Sequence, residues 1–161
     1  MTITIRLARD EDEAVLAEID AHTWNSAVSP APPPPPGTPF FDDGTRPEDV
    51  LVAEHDGAVA GYVHLGEGFD IPAHRHVRPI DALAVAPDRQ RLGIARQLVD
   101  AAVAEARQRG ARKVTLRVLG HNAVARRVYE RCGFVVEGVL RGEFRIDGRE
   151  IDDVLMARSL A

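Results

Sequence analysis

The sequence predicts an α/β (α+β) fold in which a mixed, mostly antiparallel central sheet of about seven strands is flanked by helices. Alternating β-branched segments are joined in two places by two-residue turns, Asp56-Gly57 and Asp147-Gly148, which are typical of antiparallel hairpins. Amphipathic helical segments alternate with strands in the second half of the chain, which indicates strand–helix–strand units. Together these patterns favour a mixed sheet with helices on its faces.

The individual elements follow from their start, stop and periodicity signals. The predicted strands are 2–7, 50–54, 58–65, 77–85, 113–118, 134–140 and 150–157. The predicted helices are 10–22, 93–109 and 122–132. Asp10 is expected to cap the first helix, with Glu13 three residues later. Gly110 and Gly133 are expected to stop the second and third helices.

Residues 26–47 interrupt this order with eight prolines, including the run 32–36. Such a run lacks backbone donors and prefers an extended polyproline conformation. The 25 residues before it are too few for a domain of their own. We therefore expect one domain over residues 1–161 with a proline-rich surface loop, which serves either as a stiff spacer or as a ligand for a proline-binding module.

Composition excludes several classes of partner. The net charge is −5, from 25 acidic and 20 basic residues, whereas a nucleic-acid-binding surface needs a basic excess. The only cysteine, Cys132, permits neither an intrachain disulfide nor a cysteine-rich zinc site. The sequence shows no signal peptide and no stretch of the ~20 apolar residues that a membrane helix needs. We expect a cytoplasmic protein that binds neither nucleic acid nor membrane.

The segment 80–96, IDALAVAPDRQRLGIAR, predicts an anion site. It places unpaired backbone N–H groups at the start of a helix, where the helix dipole also favours negative charge. Gly93 allows a ligand to approach the backbone, and Arg89, Arg91 and Arg96 add positive charge. A diphosphate would fit. From these residues alone, a helix that starts after a polar turn and binds nothing is equally open.

Two blocks of residues resemble the GNAT superfamily of acyl-CoA-dependent N-acetyltransferases. Residues 90–95, QRLGIA, match the pyrophosphate loop Gln/Arg-x-x-Gly-x-Gly/Ala of that family. Residues 122–134, NAVARRVYERCGF, resemble its segment Asn-x-x-Ala-x-x-x-Tyr-x-x-x-Gly-Phe. The two blocks together are specific. The resemblance covers nearly the whole chain and is weakest over residues 26–47 and 66–75.

The resemblance implies acetyl-CoA as co-substrate and a pair of central strands splayed apart by a bulge. The strand at 83–85 would pair with the pantetheine arm, and the N–H groups of 91–96 would hold the pyrophosphate. Asn122 would contact the cofactor near the pantetheine. The implied cofactor-binding residues are Leu83, Ala84, Val85, Gln90, Arg91, Leu92, Gly93, Ile94, Ala95, Arg96, Asn122 and Tyr129.

The implied reaction is direct attack of a neutral amine on the thioester carbonyl, with backbone N–H groups of the central strand stabilising the oxyanion. Tyr129 would donate a proton to the departing thiolate, and the reference pKa of ~10 keeps a phenol protonated at pH 7. Without the resemblance, a core aromatic on an apolar helix face is the favoured interpretation of Tyr129. Cys132 is not needed as a nucleophile and is expected to be a buried filler.

Asp81 is the candidate general base because it lies on the predicted strand 77–85, on the alternation that faces the groove if the register allows. An exposed carboxylate at a strand start is the alternative. His64, His76 and Glu67 are the other candidates. No acidic or cysteine ligand at metal spacing accompanies the pair His74 and His76, so we expect no metal. The two imidazoles are instead candidates to line an acceptor pocket.

The closing segment 137–158 resembles the branch of the family that acetylates small-molecule amines, free amino acids and ribosomal-protein N-termini. The resemblance implies a small-molecule amine or amino-acid acceptor, with a protein N-terminus as the alternative. A catalytically silent acyl-CoA-binding sensor is the alternative of another class. Trp24, Phe40 and Phe41 form either a wall over the acceptor or hydrophobic anchors of the loop. The last strands could pair in a homodimer.

Overall fold

The computed structural model describes residues 2–161 and contains one seven-stranded sheet with three α-helices. The strands are β1 (Ile3–Leu7), β2 (Val50–His55), β3 (Ala58–Leu65), β4 (Val77–Val85), β5 (Lys113–Leu119), β6 (Val135–Ile146) and β7 (Arg149–Ser159). The helices are α1 (Glu13–Thr23), α2 (Ile94–Gln108) and α3 (Ala123–Arg131). The order of strands across the sheet is β1-β2-β3-β4-β5-β7-β6.

All neighbouring strands are antiparallel except β4 and β5, which are parallel. A parallel pair needs a crossover connection, and α2 provides it. Helix α1 packs on one face of the sheet, where Leu16 and Ile19 meet Val50, Val52 and Tyr62. Helices α2 and α3 cover the opposite face. The predicted mixed, mostly antiparallel sheet with flanking helices is confirmed.

Strands β4 and β5 are splayed apart over half of their length. They pair only from Val77 with Lys113 to Ile80 with Leu116. Beyond that point β4 continues beside β3, and β5 continues beside β7. Leu65 pairs with Ile80 and His64 pairs with Ala82, so Asp81 is the extra residue of a β-bulge. The bulge lies where the two strands separate, which confirms the predicted splayed pair.

The larger part of the core lies between the sheet and α2. The period of the apolar residues predicts a stripe along this helix, which is half-buried at Ala95 and buried at Leu98, Val99, Ala102, Val103 and Ala106. Leu98 has no exposed surface, and truncating a buried leucine of this kind to alanine typically costs about 2–5 kcal/mol. The stripe therefore fixes α2, and with it the start of α2, against the sheet.

Two details of the predicted elements are wrong. Residues Asp10–Asp12 form a 3₁₀ turn before α1, and Asp10 caps nothing; Oδ2 of Asp12 accepts the N–H of Arg9 at 2.8 Å instead. Strand β6 extends to Ile146, beyond the predicted residue 140, across a bulge at 141–143. The N–H of Gly142, a residue with φ of +61°, donates to Oδ1 of Asp152 at 2.9 Å. The bulge breaks the alternation by which strands are recognised, so the two long strands were predicted too short.

The proline-rich loop is largely exposed and is tied down at both ends. Near its start, Nε2 of His121 lies 3.0 Å from the carbonyl oxygen of Ser26. At its end, the carboxylate of Glu13 accepts the N–H groups of Phe40 and Phe41. The ring of Phe40 packs edge-on against Tyr62, with centroids 4.8 Å apart. None of the helices within residues 2–161 is long and apolar enough to cross a membrane.

Candidate active site

The loop before α2 and the first turn of α2 contain consecutive backbone N–H groups without a partner in the described part of the chain. Arg91 and Gly93 both have positive φ, +66° and +81°, and the first helical hydrogen bond runs from Gln97 N–H to the Gly93 carbonyl. Within residues 2–161, no group accepts a hydrogen bond from the N–H of any residue from 91 to 96. Six unpartnered N–H groups at the start of a 15-residue helix are an arrangement suited to an anion, and the helix dipole also favours negative charge there.

Gly93 is required here for its backbone conformation. A Cβ at this position would meet no atom within 4 Å, but φ of +81° lies in the left-handed region that side chains disfavour. The amide of Gln90 donates to the Val85 carbonyl at 3.1 Å and ties the loop to the end of β4. Ile94 is buried in the core, so it can offer only its backbone. The charge of Arg89 is directed to His55, 3.0 Å away.

The edge of β4 that faces the gap is open. The N–H of Ala86 donates to the Ala60 carbonyl on β3 at 2.7 Å, and backbone groups alternate in direction along a strand. Those of Leu83 and Val85 therefore point into the gap, where β5 has already separated. Those of Ala84 point to β3. Of the three predicted residues, Leu83 has both backbone groups directed into the gap, and Val85 has its N–H free, because its carbonyl already accepts the Gln90 amide.

A cleft of about 360 Å³, the splay cleft, lies where β4 and β5 separate. It is lined by Pro79, Ile80, Asp81, Thr115, Leu116, Arg117, Glu137, Leu155 and Met156. Glu137 is paired with Lys113 at 2.8 Å. Asp81 and Arg117 thus face one cleft from its two separated strands, one acidic and one basic.

Asp81 projects from the bulge and lies against Gly66. Asp81 is an exposed residue, and the partial desolvation of its carboxyl group raises its pKa above its usual range, although His64 and Arg78 act in the opposite direction. His64 is itself buried, and its Nε2 has no partner within residues 2–161. A carboxylate with raised proton affinity at the wall of a cleft is suited to accept a proton from an ammonium group.

Tyr129 lies on the buried face of α3 and is only 7% exposed. Its ring packs edge-on against Phe134, with centroids 6.0 Å apart. Burial raises the pKa of Tyr129 to about 12, so the phenol is protonated at neutral pH. Asn122 begins the same helix, and its Oδ1 accepts the N–H of Ala125 at 3.2 Å, which leaves the amide NH₂ of Asn122 for another acceptor.

Of the predicted catalytic candidates only Asp81 lines the splay cleft, and the residues that do not are Tyr129, His64, His76 and Glu67. The ring of His74 packs against Phe69 with centroids 4.6 Å apart, and His76 is exposed. Glu67 is paired with Arg46. Across residues 2–161, no group of three His, Cys, Asp or Glu side chains is arranged to hold a metal ion. Burial raises the pKa of the Cys132 thiol to about 11, which keeps it protonated and unreactive.

Three residues of this region were missed by the sequence reasoning: Gly66, Arg117 and Asp153. Arg117 interrupts the otherwise apolar end of β5, and Asp153 lies within β7 with a buried side chain. A charge inside a strand was the signal that could have found both. Gly66 carries no such signal, because a glycine in the loop after a strand is common.

Comparison with known proteins defines the class of enzyme. Residues 15–134 match the acetyltransferase (GNAT) family, which is most of the chain, and the chain belongs to this family. It is 28% identical to the L-amino acid N-acyltransferase MnaT of Escherichia coli K12, over 98% of this chain and 94% of that protein. It is 31% identical to a phosphinothricin N-acetyltransferase of Alcaligenes faecalis, over 98% of this chain and 82% of that protein.

The fold agrees with these sequence relatives. The structure of a putative acetyltransferase from Salmonella typhimurium with its cofactor acetyl-CoA superposes with a TM-score of 0.81 at 24% identity, covering 100% of this chain and 95% of that one. A Streptococcus mutans structure gives a TM-score of 0.84 at 26% identity over the whole of both chains. The identification of the chain as a GNAT N-acetyltransferase, made from the two motif blocks, is confirmed.

Proposed function

We propose that this protein transfers the acetyl group of acetyl-CoA to the primary amine of a small molecule, with free amino acids as the favoured acceptors. The observation that carries the proposal is the row of six unpartnered N–H groups at 91–96, beside the open edge of β4. A diphosphate followed by an arm with two amides matches this order of donors and strand edge.

In this proposal, each part of the acetyl-CoA site binds a defined part of the cofactor. The N–H groups of residues 91–96 hold the pyrophosphate, and Leu83 and Val85 pair with the pantetheine as an added strand. The free amide NH₂ of Asn122 donates to the same arm. Acetyl-CoA supplies an acetyl group activated as a thioester.

The acid and the base are Tyr129 and Asp81. Asp81 accepts one proton from the acceptor ammonium group, which frees the nitrogen lone pair for attack on the acetyl carbonyl. Tyr129 donates one proton to the departing sulfur. The raised pKa values of both groups support these roles, because a phenol with a pKa of about 12 remains an acid at pH 7. After attack the nitrogen still carries one proton too many, and the loss of this proton replaces the one that Tyr129 gave to sulfur. Asp81 releases its proton to solvent, so an ammonium group and a thioester yield an amide, a thiol and one proton.

The preference for amino acids rests on the two walls of the splay cleft. A free amino acid carries an amine and a carboxylate on one carbon, and the cleft presents Asp81 on one strand and Arg117 on the other. Relatives named for L-amino acid and phosphinothricin acylation support the same choice. The cleft volume of about 360 Å³ suits a small ligand.

The test combines calorimetry with a thiol-release assay. Acetyl-CoA binding is measured first, and turnover is then measured with amino acids, with amines of the same side chain that lack the carboxylate, with polyamines and with N-terminal peptides. Turnover that favours the amino acid over its matched amine is the expected result. Binding without turnover on any acceptor would favour the sensor, and preferred turnover of peptides would favour N-terminal acetylation. Absence of acetyl-CoA binding would overturn the donor assignment.

A further inference from the structure

We propose that Gly66 is a positioning residue for the Asp81 carboxyl group. Because position 66 has no side chain, the carboxyl group packs against the backbone of Gly66, and this contact fixes its direction in the splay cleft. The inference rests on the proposed role of Asp81 as the base. It adds a residue that makes no contact with substrate and acts through Asp81.

The contact is so close that any side chain at position 66 would force the Asp81 carboxyl group to move. A Cβ built on Gly66 would lie 2.0 Å from Oδ2 of Asp81 and 2.8 Å from its Cγ, which is far inside van der Waals contact. The φ angle of Gly66 is outside the left-handed region, so its backbone conformation is open to side chains. The observed position of the Asp81 carboxyl group therefore depends on glycine at position 66, whereas the backbone conformation of Gly66 does not.

Hydrogen bonds of both its N–H and its carbonyl group hold the backbone of Gly66 in place. The N–H of Gly66 donates to the Pro79 carbonyl at 2.8 Å, beside the bulge that turns Asp81 out of the regular strand. The Gly66 carbonyl accepts Nε of Arg78 at 2.6 Å. Arg78 in turn lies 3.8 Å from the buried Asp49, which Arg109 holds at 2.7 Å. Arg78 and Asp49 thus connect Gly66 to Arg109, the residue that follows α2.

Four charged or titratable groups surround the Asp81 carboxyl group or line the same cleft. They are His64 on β3, Arg78 on β4, Arg117 on β5 and Glu137 on β6. Packing against Gly66 withdraws one face of the carboxyl group from water, which accounts for the burial that raises its pKa. A side chain at position 66 would rotate the carboxyl group into the open cleft, where water stabilises its charge and lowers its pKa.

The test compares Gly66→Ala with Gly44→Ala as control, because a Cβ at Gly44 would lie at an ordinary 3.5 Å from its nearest neighbour. We expect Gly66→Ala to lower kcat about 10–100-fold, as misplaced catalytic groups do, with the acidic limb of the pH–rate profile moved to lower pH. The Kd for acetyl-CoA is expected to stay unchanged. Gly44→Ala is expected to match the wild type in all three measurements.

Two further variants distinguish a failure of the Gly66 inference from a failure of the proposed base. If Asp81→Asn keeps the acidic limb, the base assignment of the proposed function is wrong and this inference falls with it. If Asp81→Asn abolishes the limb but Gly66→Ala leaves both limb and kcat unchanged, only the inference on Gly66 is overturned. In the Asp81→Ala background we expect Gly66→Ala to leave Tm unchanged, and an equal loss of Tm in both backgrounds would show a purely structural glycine.

Discussion

Nε of Arg117 donates to Oδ2 of Asp153 across a distance of 2.6 Å, so a carboxylate that is almost fully buried orients a guanidinium group that is largely exposed. The side chain of Asp153 is 3% exposed and that of Arg117 is 59% exposed. The contact uses the Nε and Nη2 edge of the guanidinium group, and Nη1 has no partner within residues 2–161. Nη1 is therefore available to an anionic group in the splay cleft.

Replacement of Arg117 is expected to weaken amino-acid acceptors selectively. A hydrogen bond to a charged group contributes about 1.5–3 kcal/mol, so Arg117→Gln should reduce kcat/KM for an amino acid about 10–100-fold. The matched amine without a carboxylate should lose little. Steady-state kinetics with both acceptors measures the difference.

The control for this prediction is the double variant Arg117→Gln with Asp153→Asn. The single variant leaves the Asp153 charge buried without its partner, which lowers Tm. The double variant should recover Tm but not the selectivity. Equal losses for the amino acid and the amine would contradict a carboxylate-binding role for Arg117.

Gly93→Asp is expected to disrupt acetyl-CoA binding through charge. A carboxylate placed among the N–H groups of 91–96 would compete for them and repel a diphosphate, and such like-charge contacts cost several kcal/mol. We expect the Kd for acetyl-CoA, measured by calorimetry, to rise at least about tenfold.

Gly148→Asp is the matched control, because Gly148 has φ of +78° and a Cβ there also meets nothing within 4 Å. The two variants share the backbone strain and the added charge, but Gly148 lies in the turn between β6 and β7. Equal effects on Kd in both variants would show that strain or net charge is responsible, and the pyrophosphate assignment would then be wrong.

Tyr129→Phe is expected to lower kcat about 10²–10⁴-fold, the range typical of a lost general acid. The phenol has no hydrogen-bond partner within residues 2–161, so its removal should change Tm little. Because burial raises its pKa to about 12, the loss should be the same across the neutral pH range. Stopped-flow thiol release under single-turnover conditions measures the step, and the Kd for acetyl-CoA is the internal control. A wild-type rate would show that Tyr129 is a buried core residue and not the general acid.

Local patterns were sufficient to predict most of the elements. Gly93 and Asn122 begin α2 and α3 as the motifs suggested, because left-handed glycine and a side chain that accepts an N–H are strong local signals. The two Asp-Gly hairpins formed for the same reason, with positive φ at Asp56, Gly57, Asp147 and Gly148. Such signals need only neighbouring residues.

Local patterns could not predict contacts between strands that are distant in the sequence. The register of β4 against β3 places the bulge at Asp81, and only that register brings the Asp81 carboxyl group onto Gly66, fifteen positions earlier. Arg117 and Asp153 likewise meet because β5 lies beside β7. The splayed pair itself was expected from the family resemblance alone, since no periodicity within one strand reports where its neighbour departs.

The stability of the protein is expected to respond oppositely to the loss of two carboxylates. Burial disfavours the ionised form of Asp49, but hydrogen bonds from Arg109 and Arg46 outweigh it and hold the pKa of Asp49 below its ordinary value of 3.8. The ionised form therefore stabilises the fold above that value, and this contribution is lost as pH falls through the lower folded pKa. Asp49→Asn should lower Tm by several degrees at pH 7, and the gap should close in acid.

Asp81 has the opposite sign, because burial raises its pKa above 3.8. Its charge then opposes folding above the folded pKa, and the penalty disappears as pH falls below the unfolded value. Asp81→Asn should raise Tm at pH 7 while it removes activity, as expected where a catalytic group is held in an unfavourable environment. Thermal melts of both variants from about pH 3 to pH 8 test this. A Tm change of the same sign in both variants at pH 7 would contradict the two assigned pKa directions, and with them the view that Asp49 is a structural carboxylate and Asp81 a catalytic one.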